Sequence, residues 1–136
     1  LPACLASHVP LDVVILMLGT NDLKEEYNRS TRDIAEANRD LIHVIKEKAP
    51  EAKILLVSPV LIDENNPMIA EKYRGATDKS KKLAEEFERI AKEESTAFID
   101  LSKKVSYSEY DGVHLDREDQ SKIAVMFKNK IIGLCQ

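Results

Sequence analysis

The sequence predicts an α/β fold in which helices wrap a parallel sheet. Three observations predict it. Apolar runs of strand length occur at residues 12–18 (DVVILML), 53–58 (KILLVS) and 96–101 (TAFIDL). Segments of helical periodicity follow each run, giving the order β-α-β-α-β-α that crossover-linked parallel strands require. Two chemistry-bearing motifs, Gly19-Thr20-Asn21-Asp22 and Asp111-Gly112-Val113-His114, follow the first and third runs. Open parallel sheets carry their sites at the carboxyl ends of strands, where both motifs would then lie.

Residues 12–18 are continuously apolar and rich in β-branched side chains, as suits a strand buried on both faces. Residues 30–48 read as a helix. Ser30 and Asp33 form a capping-box pattern, Ile34, Ala37, Leu41, Val44 and Ile45 recur at helical spacing, and Ala49-Pro50 ends the run. Residues 53–58 are a second buried strand, stopped by Pro59. A long loop follows, with Pro59, Asn65, Asn66, Pro67 and Gly75 spread through residues 59–77. Residues 78–94 are a helix with Leu83, Phe87, Ile90 and Ala91 inward, and its run Glu85-Glu86-Phe87-Glu88-Arg89 reads as a solvated, ion-paired face. Residues 96–101 are the third strand and 102–115 are irregular. Asp116 caps the last helix, where Ile123, Phe127, Ile131 and Leu134 line one face. Glu118 and Asp119 sit favourably in its first turn, at the positive end of the helix dipole.

At 136 residues the chain fits one domain with a real core. Its formal net charge of −4, with signs interspersed, gives no basic stripe for nucleic acid. No apolar run reaches the roughly 18 residues of a membrane helix. Cys4 and Cys135 have no metal-ligand spacing and read as unrelated thiols of a reducing, cytoplasmic compartment, against the alternative of a terminus-to-terminus disulfide. Leu1 is not a natural start, so export stays open. The apolar run 12–18 needs neighbours on both sides, and three strands give it too few. At least one further strand is expected to pair with it, from a segment preceding Leu1 or from another chain.

Asn21 is a candidate donor to a developing oxyanion, in a substrate loop made of Gly19, Thr20 and Asn21. His114 is a candidate general base, and Asp111, three residues earlier, a candidate orienting acid. Gly112 allows the tight turn between them. The plain alternative is a loop histidine beside an Asx-turn at Asp111. Asp22 reads as a loop-stabilising residue, and Gly19 and Thr20 as positions of close backbone packing. An activated serine is missing from this set. Ser58 ends a strand, but Pro59 follows it and no glycine permits a nucleophile elbow, so a lining role is expected of it. His43 is expected at the surface. Cys4 and His8 lack further ligands, so no metal site is expected.

These motifs resemble blocks of the SGNH (GDSL-type) hydrolases. Gly19-Thr20-Asn21-Asp22 is similar to the third block and Asp111-Gly112-Val113-His114 to the fifth. The surrounding sequence, LPACLASHVPLDVVILMLGTND, and Ser58-Pro59 are similar to the aryl esterase and acetyl esterase branch. The resemblance runs through the whole chain. It implies a three-layer sandwich with a parallel, flavodoxin-like sheet. Residues 1–136 would form the C-terminal portion of a single hydrolase domain, an incomplete fragment with about three strands. The Gly-Asp-Ser block with the nucleophile and the oxyanion-hole glycine would lie upstream of Leu1. The implied activity is carboxylic ester hydrolysis, or acyl transfer, through a serine acyl-enzyme, with Asn21, Asp111 and His114 in the roles above. The isolated chain is then expected to be inactive. The resemblance implies no cofactor, and as partners a small ester and either a homo-oligomer or a complementing N-terminal half. It also assigns Tyr27 and residues 61–73 to a pocket wall or a subunit contact, against the alternative of an ordinary surface loop. Two other classes stay open. One is a non-catalytic module that assembles through its open strand edge. The other is a small phosphate-binding domain, although no Gly-rich phosphate loop follows the first strand.

Overall fold

A computed structural model describes residues 1–136 as a three-stranded parallel sheet with strands β1 (Val13–Leu16), β2 (Lys53–Ser58) and β3 (Ala97–Asp100) in the order β1-β2-β3. Val13 pairs with Lys53 and Leu16 with Leu56 across the first ladder, and Leu55 with Ala97 and Ser58 with Asp100 across the second. The helices are α1 (Pro2–His8), α2 (Thr31–Lys48), α3 (Ala76–Glu93) and α4 (Arg117–Leu134).

The period of two along β2 divides the core. Ile54 and Leu56 face the larger apolar cluster, which contains Ile34, Ile42 and Ile45 of α2 and Leu83, Phe87 and Ile90 of α3. Leu55 and Val57 face a smaller cluster containing Ile123 of α4. Three layers result: α1, α2 and α3 on one face, the sheet, and α4 on the other. The α/β parallel architecture is therefore the one the alternation of elements demands.

Several elements differ in detail from the sequence reading. β1 is shorter than the apolar run and is not buried on both faces: only Leu16 is buried, and Ile15 is 38% exposed. β1 lies at the sheet edge, and Ile15 stands outside the apolar cluster that α4 covers. α1 is an additional helix, started by a proline and seated through Leu5. In α2 the capping box forms, with Ser30 Oγ accepting from Asp33 N–H and Asp33 accepting from Ser30 N–H. Its buried stripe is Ile34, Ala35, Asn38, Ile42 and Ile45, leaving Ala37, Leu41 and Val44 half-buried. Asn38 enters that stripe because its amide donates to Ile34 O at 2.9 Å. α3 begins at Ala76, after Gly75 in the left-handed region. Asp116 holds the N-cap position of α4 without a side-chain capping bond, and only Ile123 of the predicted face is buried.

The charged face of α3 is solvated and also joins the helices. Arg89 donates to Glu86 and Glu93 on its own helix and to Glu36 on α2. The exposed His43 meets Glu94 at 3.0 Å. Cys4 and Cys135 are free and exposed. His8 bonds Cys4 O at 2.8 Å, and no group of three metal-ligating side chains forms. No helix is long and apolar enough to cross a membrane.

Candidate active site

The chain leaves β1 through Gly19, whose φ of +127° and position against α2 and α3 both select glycine. A Cβ there would lie 3.2 Å from Ile34 Cγ2. A 3-10 turn, Asn21–Leu23, follows, and the fully buried Leu23 pegs it to the core. Asp22 stabilises this turn: its N–H donates to Gly19 O at 3.1 Å and its carboxylate lies 3.7 Å from Arg29. Asn21 keeps its side chain exposed, and its Oδ1 accepts from the Tyr73 hydroxyl at 3.2 Å. The amide nitrogen of Asn21 is left as a donor.

Asp111 and His114 form a closed unit. Asp111 Oδ1 accepts the N–H groups of Val113 and His114, each at 2.9 Å, while Oδ2 meets His114 Nδ1 at 2.6 Å. The Asx-turn and the carboxylate–imidazole pairing thus coexist, one on each carboxylate oxygen. The two backbone N–H groups, with the ring, hold the Asp111 carboxyl down at about 2. With the Asp111 carboxylate engaged at Nδ1, Nε2 of His114 is the ring nitrogen left to accept a proton. The His114 side chain is 81% exposed, against 18% for Asp111.

Neighbouring backbone locks this loop. Ser108 N–H donates to His114 O and Gly112 N–H to Ser108 O. Gly112 sits at φ +73°, where a Cβ would lie 2.8 Å from Asp63 O, and Gly112 O accepts from Asp63 N–H at 2.9 Å. Asn66 donates to Glu109 O at 3.1 Å. The long loop after β2 therefore braces the Asp111–His114 turn.

Both motifs line one cavity of about 350 Å³ at the carboxyl ends of the strands. Thr20, Asn21, Tyr73, Asp111 and His114 supply its polar wall, and Met17, Val60, Ile69 and Leu101 much of its apolar wall. The structure thus brings together Asn21, Asp111, His114 and Thr20, with Gly19 behind them as a packing position.

Other expectations fall outside the cavity. Ser58 is fully buried, and its Oγ donates to Asp100 Oδ1 at 3.1 Å, so it is neither a nucleophile nor a wall residue; Pro59 and Val60 line the cavity instead. Burial pushes the Asp100 carboxyl up, but bonds from Ser102, Lys103 and Ser58 outweigh it and hold the group below its usual range. Tyr27 is 51% exposed and forms no part of the wall, whereas Ile69 and Tyr73 of the following long loop do. The Tyr73 partner of Asn21 leaves no sequence signal, because nothing in local spacing links residues 52 positions apart. A larger cavity of about 640 Å³ opens beside β3. Its Asp100 and Lys103 pair with each other at 3.0 Å and it holds none of the motif residues, so the smaller cavity is the candidate site.

Residues 2–121 match the model of the GDSL-like lipase/acylhydrolase family. Solved structures agree. A carbohydrate acetylesterase from Sinorhizobium meliloti is 30% identical with a TM-score of 0.91, over 98% of this chain and 66% of that one. The native aryl esterase of M. smegmatis is 30% identical with a TM-score of 0.90, at the same coverage of 98% and 66%. An arylesterase-like protein from Agrobacterium tumefaciens, described as a "putative arylesterase", is 27% identical with a TM-score of 0.84, again covering 98% and 66%. The chain thus spans 66% of the length of these relatives. A search of curated proteins finds no match.

Proposed function

This chain belongs to the GDSL-like lipase/acylhydrolase family, and from that premise we propose that it carries the base and one oxyanion donor of a serine-type carboxylic ester hydrolase. The observation that supports this reading most is the shared cavity: Asn21 and the Asp111–His114 pair, far apart in the chain, line the same small space. No residue of that wall is a serine. The nucleophile is assigned to a segment upstream of Leu1, covalently joined or complementing. The open edge and uncovered face of β1 support that assignment, because they offer such a segment a sheet position.

In the proposed reaction the serine oxygen bonds to the acyl carbon while His114 Nε2 takes its proton. Asp111 stabilises the imidazolium, and Asn21 Nδ2 donates to the carbonyl oxygen as it becomes negative. Collapse breaks the bond to the leaving alcohol, which takes the proton from His114. Water, activated by the same ring, then releases the acid; an alcohol in its place gives acyl transfer. A cavity of about 350 Å³ with apolar walls fits a small acyl group. The names of the solved relatives, acetylesterase and aryl esterase, point the same way.

A fluorophosphonate probe tests the reading. With the upstream segment present, one serine outside residues 1–136 becomes labelled and short-chain esters are hydrolysed, while the isolated chain neither labels nor hydrolyses. Absence of labelling with that segment present, or labelling at Ser58, overturns it. The exposed β1 edge favours a second reading, an assembly module, which predicts stable association without any labelling.

A further inference from the structure

We propose that Tyr73 is a positioning residue that decides which end of the Asn21 amide faces the substrate; the inference rests on the oxyanion reading of Asn21. A primary amide has a donor end and an acceptor end. Only the donor end stabilises a developing oxyanion, and the acceptor end repels it. Asn21 is exposed, and its side chain makes a single hydrogen bond within the chain, to Tyr73. That bond occupies Oδ1 and leaves Nδ2 as the free donor end of a side chain on the cavity that both residues line.

Tyr73 is built for this task. It is only 5% exposed and its ring belongs to the larger apolar cluster. Its N–H donates to Ile69 O at 3.0 Å and its carbonyl accepts from Ala76 N–H at 2.9 Å, fixing it just before α3. Glu25 N–H donates to Lys72 O at 2.8 Å, which ties the segment beyond the Asn21 turn to the residue beside Tyr73. Burial, and then the nearby Tyr27, push the Tyr73 hydroxyl above its ordinary range, so it keeps the proton it donates.

The test is a double-mutant cycle in the protein with its upstream segment present, read with a short-chain ester. Tyr73→Phe keeps the ring in the core and removes the hydroxyl. The expected result is a kcat lowered about tenfold, a fraction of what losing an oxyanion donor costs, with KM changed less than about twofold. In an Asn21→Ala background, Tyr73→Phe has no further effect on kcat. A kcat within twofold of wild type for Tyr73→Phe overturns the assignment, as does an equal loss in both backgrounds, which would mark a merely structural residue. If instead Asn21→Ala alone leaves kcat unchanged, the oxyanion reading fails and this inference with it. If Tyr73→Phe proves too unstable to assay, a crystal structure of the wild-type protein with its upstream segment and a fluorophosphonate adduct replaces it. Asn21 should hold the Tyr73 hydroxyl with Oδ1 and the phosphoryl oxygen with Nδ2, and a Tyr73 hydroxyl out of reach of Asn21 would overturn the proposal.

Discussion

Strand β2 sends Ile54 and Leu56 into one helical layer and Leu55 and Val57 into the other, and none of the four is more than 7% exposed. Strand β1 is equally apolar, yet its Ile15 is 38% exposed and Met17, just beyond it, 42% exposed. The two strands differ in surroundings rather than in composition. β2 has a strand on each side and helices on both faces, whereas β1 has a free edge and one uncovered face. Burying one such side chain is worth about 1.5–3 kcal/mol, so the open side of β1 can gain substantially from a further strand and its helix. The candidate site reflects the same asymmetry. Its Asp111–His114 unit is internally braced, while the His114 ring stands exposed at the rim.

The largest expected effect removes or supplies what the open side lacks. Separating residues 1–136 from the upstream segment should lower ester hydrolysis on the order of a millionfold, the cost of deleting a nucleophile. Recovery of activity on adding that segment back would sharpen the contrast between the two strands. Comparable activity in the isolated chain would break it.

Next comes the braced unit. Asp111→Asn should lower kcat about ten-thousandfold, because the amide no longer enforces the tautomer and charge that His114 needs. It should also change the acid response. The Asp111 carboxyl is held at about 2 in the fold, below its ordinary value. Its bonds to Val113 and His114 therefore contribute fully above the ordinary carboxylate range and are lost as the pH falls toward 2. Unfolding measured between neutral pH and pH 2 should show a smaller acid-side loss in Asp111→Asn than in wild type.

The smallest effects read the strands directly. Leu56→Ala should cost about 2–5 kcal/mol in chemical denaturation, as a truncation in a closed core does. Ile15→Ala in the isolated chain should cost less than about 1 kcal/mol, as suits a side chain still in contact with water. With the upstream segment docked, the Ile15→Ala cost should rise toward that of Leu56→Ala. Equal costs in the isolated chain would erase the distinction between the strands.

Much of this was legible in the sequence, for physical reasons that differ by region. β2 runs Lys53–Ser58 as read, because a short apolar run bounded by a charge and a proline has one sensible conformation. The start of α2 was equally clear, since Ser30 and Asp33 satisfy the first N–H groups locally. Asn21, Asp111 and His114 could be placed on one side because a parallel sheet puts every strand's carboxyl end there. What depended on contacts between distant residues was not legible. Ser58 was expected as a wall residue, but a single bond to Asp100 hides it. Asn38 in the buried stripe of α2 is not visible to hydrophobic periodicity, because its polarity masks an amide satisfied by its own helix. β1 was expected to be buried on both faces because apolarity reports what a strand requires, and not whether the same chain provides it.

His114 is proposed to work as the base of an ester hydrolase, with its partners on one rim of the sheet. The direct measurement is steady-state hydrolysis of a short-chain ester by the His114→Ala variant, with the upstream segment present and folding checked by circular dichroism. A fall in kcat of more than about ten-thousandfold with the fold intact is predicted. Retention of kcat within tenfold of wild type would rule out His114 as the base.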